Sequence, residues 1–287
     1  MIRWNQLELS GMAVMNITPD SFSDGNQLQS LQDLNLRWQQ MAEFCHWMDI
    51  GGQSTAPQNQ SIGEQAELQR WQLACDWLDQ YLDQQIFLSI DTYRPQVMHQ
   101  IYQRYQKTSW HWLYNDVSGD YQSALQVLKQ SSQIGYVASF TYIPNFEQTN
   151  DHINFCREVS SEDLERDCLH FFQKVLDFWQ QHQLKNPLYL DPAFGFSKKR
   201  EQNYQLIKAL PQIMKKLNHS HWLLGLSRKS FLRFDQDVKK TELMQLLILS
   251  QFFSKIDHHP YQLILRVHQS DLIQSLKNFI AVGLLSR

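Results

Sequence analysis

Eight short apolar runs, each about strand length, recur along this 287-residue chain. They are Met12–Met15, Trp47–Ile50, Ile86–Ile90, Trp112–Tyr114, Tyr136–Phe140, Leu188–Leu190, Trp222–Leu226 and Leu263–Val267. Their apolar character is nearly continuous rather than alternating, the pattern of strands covered on both faces. Between them, apolar residues recur at three- and four-residue spacing, which places them on one side of a helix. Leu68–Trp71–Cys75–Leu78, Leu125–Leu128, Leu164–Cys168–Phe171–Val175–Phe178 and Leu243–Leu246–Leu247 are such series. Parallel strands need long crossovers of this kind. The alternation predicts an α/β fold, a (β/α)8 TIM barrel forming a single domain over residues 1–287, with a doubly wound open sheet as the alternative. Residues 4–10 are expected to form a short strand across the barrel floor.

The net charge of −3 supplies no basic field, so nucleic acid is not an expected partner. Cys45, Cys75, Cys156 and Cys168 are far apart, without C-x-x-C or zinc-like spacing, and are read as free thiols in a reducing compartment. No basic start leads into an apolar signal core, and no apolar run reaches the roughly 20 residues needed to span a bilayer. A cytoplasmic protein acting on small molecules is expected, with no membrane partner.

In a barrel of this type the site lies at the carboxyl ends of the strands. The first run opens into Asn16-Ile17-Thr18-Pro19-Asp20-Ser21-Phe22-Ser23-Asp24-Gly25, a poor strand and a poor helix, and so a loop. Later runs end in Asp49 to Thr55, Asp91-Thr92, Asn115 to Gly119, Asp191 to Phe196, Ser227 to Ser230 and Arg266 to His268. One Asp at a strand end is usually a helix cap; so many at equivalent positions suggest a site. Asp91, Asn115 and Asp191 can read a ring edge carrying adjacent N–H donors, since a carboxylate facing two such donors accepts parallel hydrogen bonds. Lys229 can supply a cation to a carbonyl oxygen or ring nitrogen. Arg266 and His268 are two apart, so on one strand they point the same way and suit a phosphate or diphosphate.

Seven of these segments resemble, in order, motifs of the dihydropteroate synthase family: N-I-T-P-D-S-F-S-D-G, D-I-G-G-x-S-T, S-I-D-T, N-D-V-S-G, L-D-P-x-F-G-F, S-R-K-S and R-V-H. They extend from residue 16 to 268. The resemblance implies a pterin-binding barrel, commonly a homodimer, acting in folate biosynthesis. Its reaction joins 4-aminobenzoate to the methylene of 6-hydroxymethyl-7,8-dihydropterin diphosphate, giving 7,8-dihydropteroate and pyrophosphate. By that resemblance Asp91, Asn115, Asp191 and Lys229 hold the pterin. Asn16, Thr55, Arg266 and His268 hold the diphosphate, with Mg²⁺ at Asn16. Thr55, Phe22, Phe194 and Ser230 shape the aminobenzoate pocket. The catalytic set implied is Asp91, Asp191, Lys229, Arg266 and His268.

The chain departs from the family pattern in four places. The family's G-G-E-S-T-R-P becomes Gly51-Gly52-Gln53-Ser54-Thr55-Ala56-Pro57, without the Arg at 56. The usual Met-His pair after the fifth strand is replaced by Phe140-Thr141-Tyr142-Ile143-Pro144-Asn145. Ala193 and Ser197 replace two glycines, and Gln269 follows Arg-Val-His in place of an acid. A catalytically weak pterin-binding paralogue is therefore the alternative function. A methyltetrahydrofolate-using methyltransferase fits the S-R-K-S and first-loop segments less well. Arg70, Lys198 and Lys199 are the cations considered as substitutes for the missing Arg.

Overall fold

The computed structural model describes residues 2–4, 7–18, 28–55, 59–233, 238–256 and 259–281. Most of the expected first loop, with Phe22, and position 56 lie outside them. The described residues form nine strands: β1 (Ile2–Trp4), β2 (Leu7–Asn16), β3 (Cys45–Gly51), β4 (Phe87–Asp91), β5 (His111–Asp116), β6 (Ile134–Ser139), β7 (Leu188–Asp191), β8 (His221–Leu224) and β9 (Gln262–Val267). From β2 onward each pairs with its successor in parallel, and β9 pairs back in parallel on β2. That closure makes an eight-stranded barrel and excludes the open sheet.

The expectation for residues 4–10 needs correcting. Leu7–Ser10 begins the first barrel strand, and the added strand is β1, antiparallel to it with Ile2 opposite Leu9. The apolar run beginning at Met12 missed this start because Glu8 and Ser10 interrupt the pattern.

Helices follow the strands in turn: α1 (Leu31–Met41), α2 (Glu64–Leu78), α3 (Pro95–Tyr105), α4 (Leu125–Leu128), α5 (Ser161–Gln181), α6 (Arg200–Leu217), α7 (Val238–Phe253) and α8 (Asp271–Ala281). Local chemistry sets several of their starts. The Ser30 hydroxyl accepts from the Asp33 amide while Asp33 accepts from the Ser30 amide, a reciprocal cap. Ser160 accepts from the Asp163 amide, and Pro95 occupies the first turn of α3, where no N–H is needed. Two helical expectations change. The 125–128 spacing yields a single turn, and Leu243 and Leu247 on α7 are each 57% exposed instead of packed on the barrel.

Strand alternation divides the barrel interior into two levels. Met12, Trp47, Leu113, Val137, Leu223 and Ile264 form one apolar cluster, with Phe87 and Tyr189 packed against it. Two residues further along most of these strands the same inward face becomes polar: Asp49, Ser89, Asn115, Ser139, Asp191 and Arg266. The lower level fills the barrel by excluding water. The upper level must satisfy its charges among its own members, because an unpaired buried charge costs several kcal/mol. That requirement fixes the geometry of the site.

Candidate active site

The parallel register places the strand-end residues side by side. Asn16 lies opposite Gly51, Gly51 opposite Asp91, and Asp91 opposite Asn115. Ser139 pairs with Asp191 across the barrel wall. Thr55, Asp91, Asn115, Asp191, Phe194, Lys229 and Arg266 converge on one cavity, with Val117, Ala193, Phe196 and Gly225 completing its lining. Four residues expected to hold one ring therefore share one wall. Among the described residues this cavity measures about 30 Å³, room for about one water, and Arg266 reaches across it to two carboxylates.

Asp49 organises that arrangement. It is fully buried and accepts from Ser89 Oγ at 2.6 Å, Asn115 Nδ2 at 3.0 Å and Arg266 Nε at 2.6 Å. Arg266 Nη2 donates to Asp91 Oδ2 as well. Sequence reasoning left Asp49 in its motif without a role. The available signal was its position two residues after the inward-facing Trp47, which turns its carboxylate into the barrel. Burial pushes Asp91 up, to about 7, against the pull of Arg266. Asp191 is also raised by burial, opposed by its hydrogen bond from the Ala193 amide at 2.8 Å and by Lys229. Lys229 is lowered to about 8 by burial, then by Arg266, with Asp191 and Asp91 opposing. Its ammonium lies 4.6 Å from the centre of the Phe196 ring.

Arg266 and His268 do not share a strand as expected. β9 ends at Val267, and His268 begins the turn beyond it. Its amide donates to Ser227 Oγ at 3.1 Å, its Nδ1 lies 3.2 Å from the same oxygen, and Arg37 donates to its carbonyl. Burial, then Arg266, Arg228, Lys229 and Arg37, hold the imidazole well below its usual range. The ring is neutral at physiological pH in this state, and an arriving anion would raise its basicity.

Phe194 is buried in the cavity wall, whereas Ser230 is exposed on the turn Ser230–Leu232 and is not among the lining residues. None of the three proposed substitutes for the missing Arg lines the cavity either. Arg70 Nη1 donates to the Gly52 carbonyl at 3.0 Å, and Lys199 pairs with Glu158 on the surface. Lys198 is buried and donates to the carbonyls of Phe140, Ala193 and Phe196, joining β6 to the loop after β7. That loop holds three left-handed residues: Gly195 at φ 84°, Ala193 at 49° and Ser197 at 47°. Only Gly195 adopts this conformation without steric cost. A Cβ there would also stand 3.3 Å from Lys229 Cδ.

The donor set near Asn16 suits a hard cation. A Cβ on Gly51 would stand 3.3 Å from both Asn16 Oδ1 and Asp91 Oδ2, so the glycine keeps open the space between these two side-chain oxygens. Magnesium commonly takes one or two protein oxygens and completes its shell with phosphate and water. Among the described residues no group of three or more His, Cys, Asp or Glu could hold a metal independently.

A closed parallel barrel with carboxylates and cations converging at the carboxyl ends of its strands has the arrangement of an enzyme of the barrel class. The sequence model described as pterin binding enzyme matches residues 12–252. A dihydropteroate synthase of Synechocystis sp. is 33% identical over 223 residues, covering 77% of this chain and 72% of that relative. The Yersinia pestis dihydropteroate synthase in a sulfonamide complex superposes with a TM-score of 0.76 at 24% identity, covering 98% of this chain and 95% of that one. The Xanthomonas albilineans enzyme with 4-aminobenzoic acid gives 0.72 at 23% identity, over 98% and 94%. The chain belongs to the pterin-binding enzyme family and, within it, to the dihydropteroate synthases.

Proposed function

We propose that this chain condenses 6-hydroxymethyl-7,8-dihydropterin diphosphate with 4-aminobenzoate, forming 7,8-dihydropteroate and pyrophosphate for folate synthesis. The observation that carries this reading is the convergence of Asp91, Asn115, Asp191 and Lys229 on one cavity beside Arg266. Two carboxylates and an amide can meet the donor edge of a pterin, and Lys229 its carbonyl or ring nitrogen. Asp91 has to exchange Arg266 for the ring, which frees the guanidinium to turn toward the diphosphate.

The carbon–oxygen bond of the methylene breaks and its electron pair leaves with pyrophosphate. The amine nitrogen forms the new carbon–nitrogen bond and loses a proton to pyrophosphate. Arg266, with the His268 ring as a hydrogen-bond donor, stabilises the departing charge. Asp91 and Asp191 favour the cationic pterin methylene electrostatically, and no protein nucleophile is needed. Asn16 would hold a Mg²⁺ brought in with the diphosphate, whose charge would offset that of the leaving group. Thr55 and Phe194 line the aminobenzoate side, while Ser230 would have to approach from the rim.

The exposed Leu243 and Leu247 on one face of α7 support pairing of two copies into a homodimer; sedimentation at micromolar concentration tests it, and a monomer would refute it. Four cysteines outside any disulfide, and no described helix long and apolar enough to cross a membrane, support a cytoplasmic location. The decisive assay measures pyrophosphate release with both substrates and Mg²⁺. Release that requires 4-aminobenzoate supports the synthase. Tight pterin binding without release would replace it with the paralogue reading.

A further inference from the structure

Loop two, from Gln53 to Ile62, carries Thr55 into the cavity and contains no Lys or Arg. A 3-10 segment from the β6–α5 connection, Phe146–Phe155, is fastened to it. Asn150 Nδ2 donates to the carbonyls of Ser54 and Asn59, both at 3.3 Å, and Asn150 Oδ1 accepts from Tyr93 Oη at 3.0 Å. One amide thus joins two points of loop two to the end of β4.

His152 makes the second attachment. It is buried, its Nδ1 lies 3.5 Å from the Ser197 amide nitrogen, and the ring also meets the Thr55 backbone carbonyl. Burial and nearby Lys229 lower it to about 4, so it is neutral, with one nitrogen to accept and one to donate. Its ring centre is 4.8 Å from that of Phe196, whose other neighbour is the Lys229 ammonium. Loop two and the loop after β7 therefore meet through one imidazole, and Phe196 carries the contact on to Lys229.

We propose that His152 and Asn150 are positioning residues for the amine-side pocket, holding Thr55 and Phe196 where 4-aminobenzoate is received. The proposal rests on the synthase reading above. The amide and imidazole fix the backbone carbonyls of Ser54, Thr55 and Asn59 without charge, while the Arg94 guanidinium holds the far end of the loop at Ser61 and Ile62. A misplacement near 1 Å in such a wall is enough to lower productive encounters substantially.

The test compares the full-length wild type with Asn150→Ala, His152→Ala and His152→Gln. Readouts are amine-dependent pyrophosphate release, calorimetric affinity for a pterin ligand, and melting temperature. Asn150→Ala and His152→Ala are expected to raise the KM for 4-aminobenzoate about tenfold, with pterin affinity within about twofold of wild type. His152→Gln, which can still donate and accept, should recover most of that loss. Unchanged KM values in both alanine variants overturn the proposal. So does a parallel loss of pterin affinity and melting temperature, which would mark mere structural support. A wild type without amine-dependent release sinks the synthase reading instead, a result separable from either.

Discussion

The two sides of this site are built differently. The strand-end part of the wall proposed for the pterin consists of Asp91, Asn115 and Asp191 at the ends of β4, β5 and β7, with Arg266 beside it near the end of β9. Their backbones are fixed by parallel ladders, and their side chains by Asp49, the Ala193 amide and one another. The described residues of loop two lie outside the sheet and are held by side-chain amides and, at Ser61 and Ile62, by Arg94. Gln53 Nε2 donates to the Ser54 and Gln60 carbonyls at 2.7 and 3.4 Å, and its Oε1 accepts from the Ile62 amide at 2.9 Å. A Glu at position 53 could make only the last of these bonds. The wall keeps the charges proposed to orient a ring; the Gln53 end of the loop is held by neutral amides and its Ile62 end by the Arg94 guanidinium. In this chain, departure from the family pattern is concentrated where the backbone is not locked by strand pairing.

Removing the wall's organiser should have the largest effect. Asp49→Asn leaves Arg266 with one carboxylate in place of two, and breaking such a buried pair costs about 3 to 5 kcal/mol. Denaturant unfolding should show that loss together with weaker pterin binding. Intact stability would mean that Asp49 does not hold the wall together.

A pH titration sharpens the same side. Lys229 has its folded pKa lowered to about 8, against an ordinary value of 10.5, so its cation is present below pH 8 and is lost above it. Pterin affinity should fall about tenfold per unit above that point. Folding stability moves the other way between pH 8 and 10.5, because there the unfolded chain binds the extra proton. Lys229→Met should abolish both trends, and their persistence would assign them to another group.

On the loop side, Ala56→Arg restores the charge of the family pattern and should raise the rate of pyrophosphate release about tenfold. No gain would mean that Arg266 and its neighbours already neutralise the leaving group. The smallest effect concerns backbone strain. Ala193→Gly relieves a left-handed alanine at φ 49° and should stabilise the fold by about 1 kcal/mol. Ser197→Gly should gain less, because the Ser197 hydroxyl accepts from the Tyr142 amide at 2.8 Å.

The barrel was legible because both-faces-buried strands read as continuous apolar runs, and eight of them alternated with helical spacing. Leu7–Ser10 escaped because Glu8 and Ser10 break the run although the strand continues through them. Leu243 and Leu247 misled because helical spacing marks a shared face without saying what that face meets. Asp91, Asn115 and Asp191 were legible as polar residues at equivalent strand ends. Asp49 was not assigned, since its role lies in contacts with β4, β5 and β9 that are distant in sequence. His152 and Asn150 carried no signal: they lie in an irregular connection, and only the fold brings them to loop two.

The distinction between wall and loop is tested most directly by calorimetric titration of a pterin ligand into the wild type, Asp191→Asn and Ala56→Arg. Asp191→Asn should lose about 100-fold in affinity, roughly 3 kcal/mol for a charged hydrogen-bonding group, while Ala56→Arg stays within about twofold of wild type. Equal affinity in wild type and Asp191→Asn, or a pterin affinity governed by position 56, would contradict it.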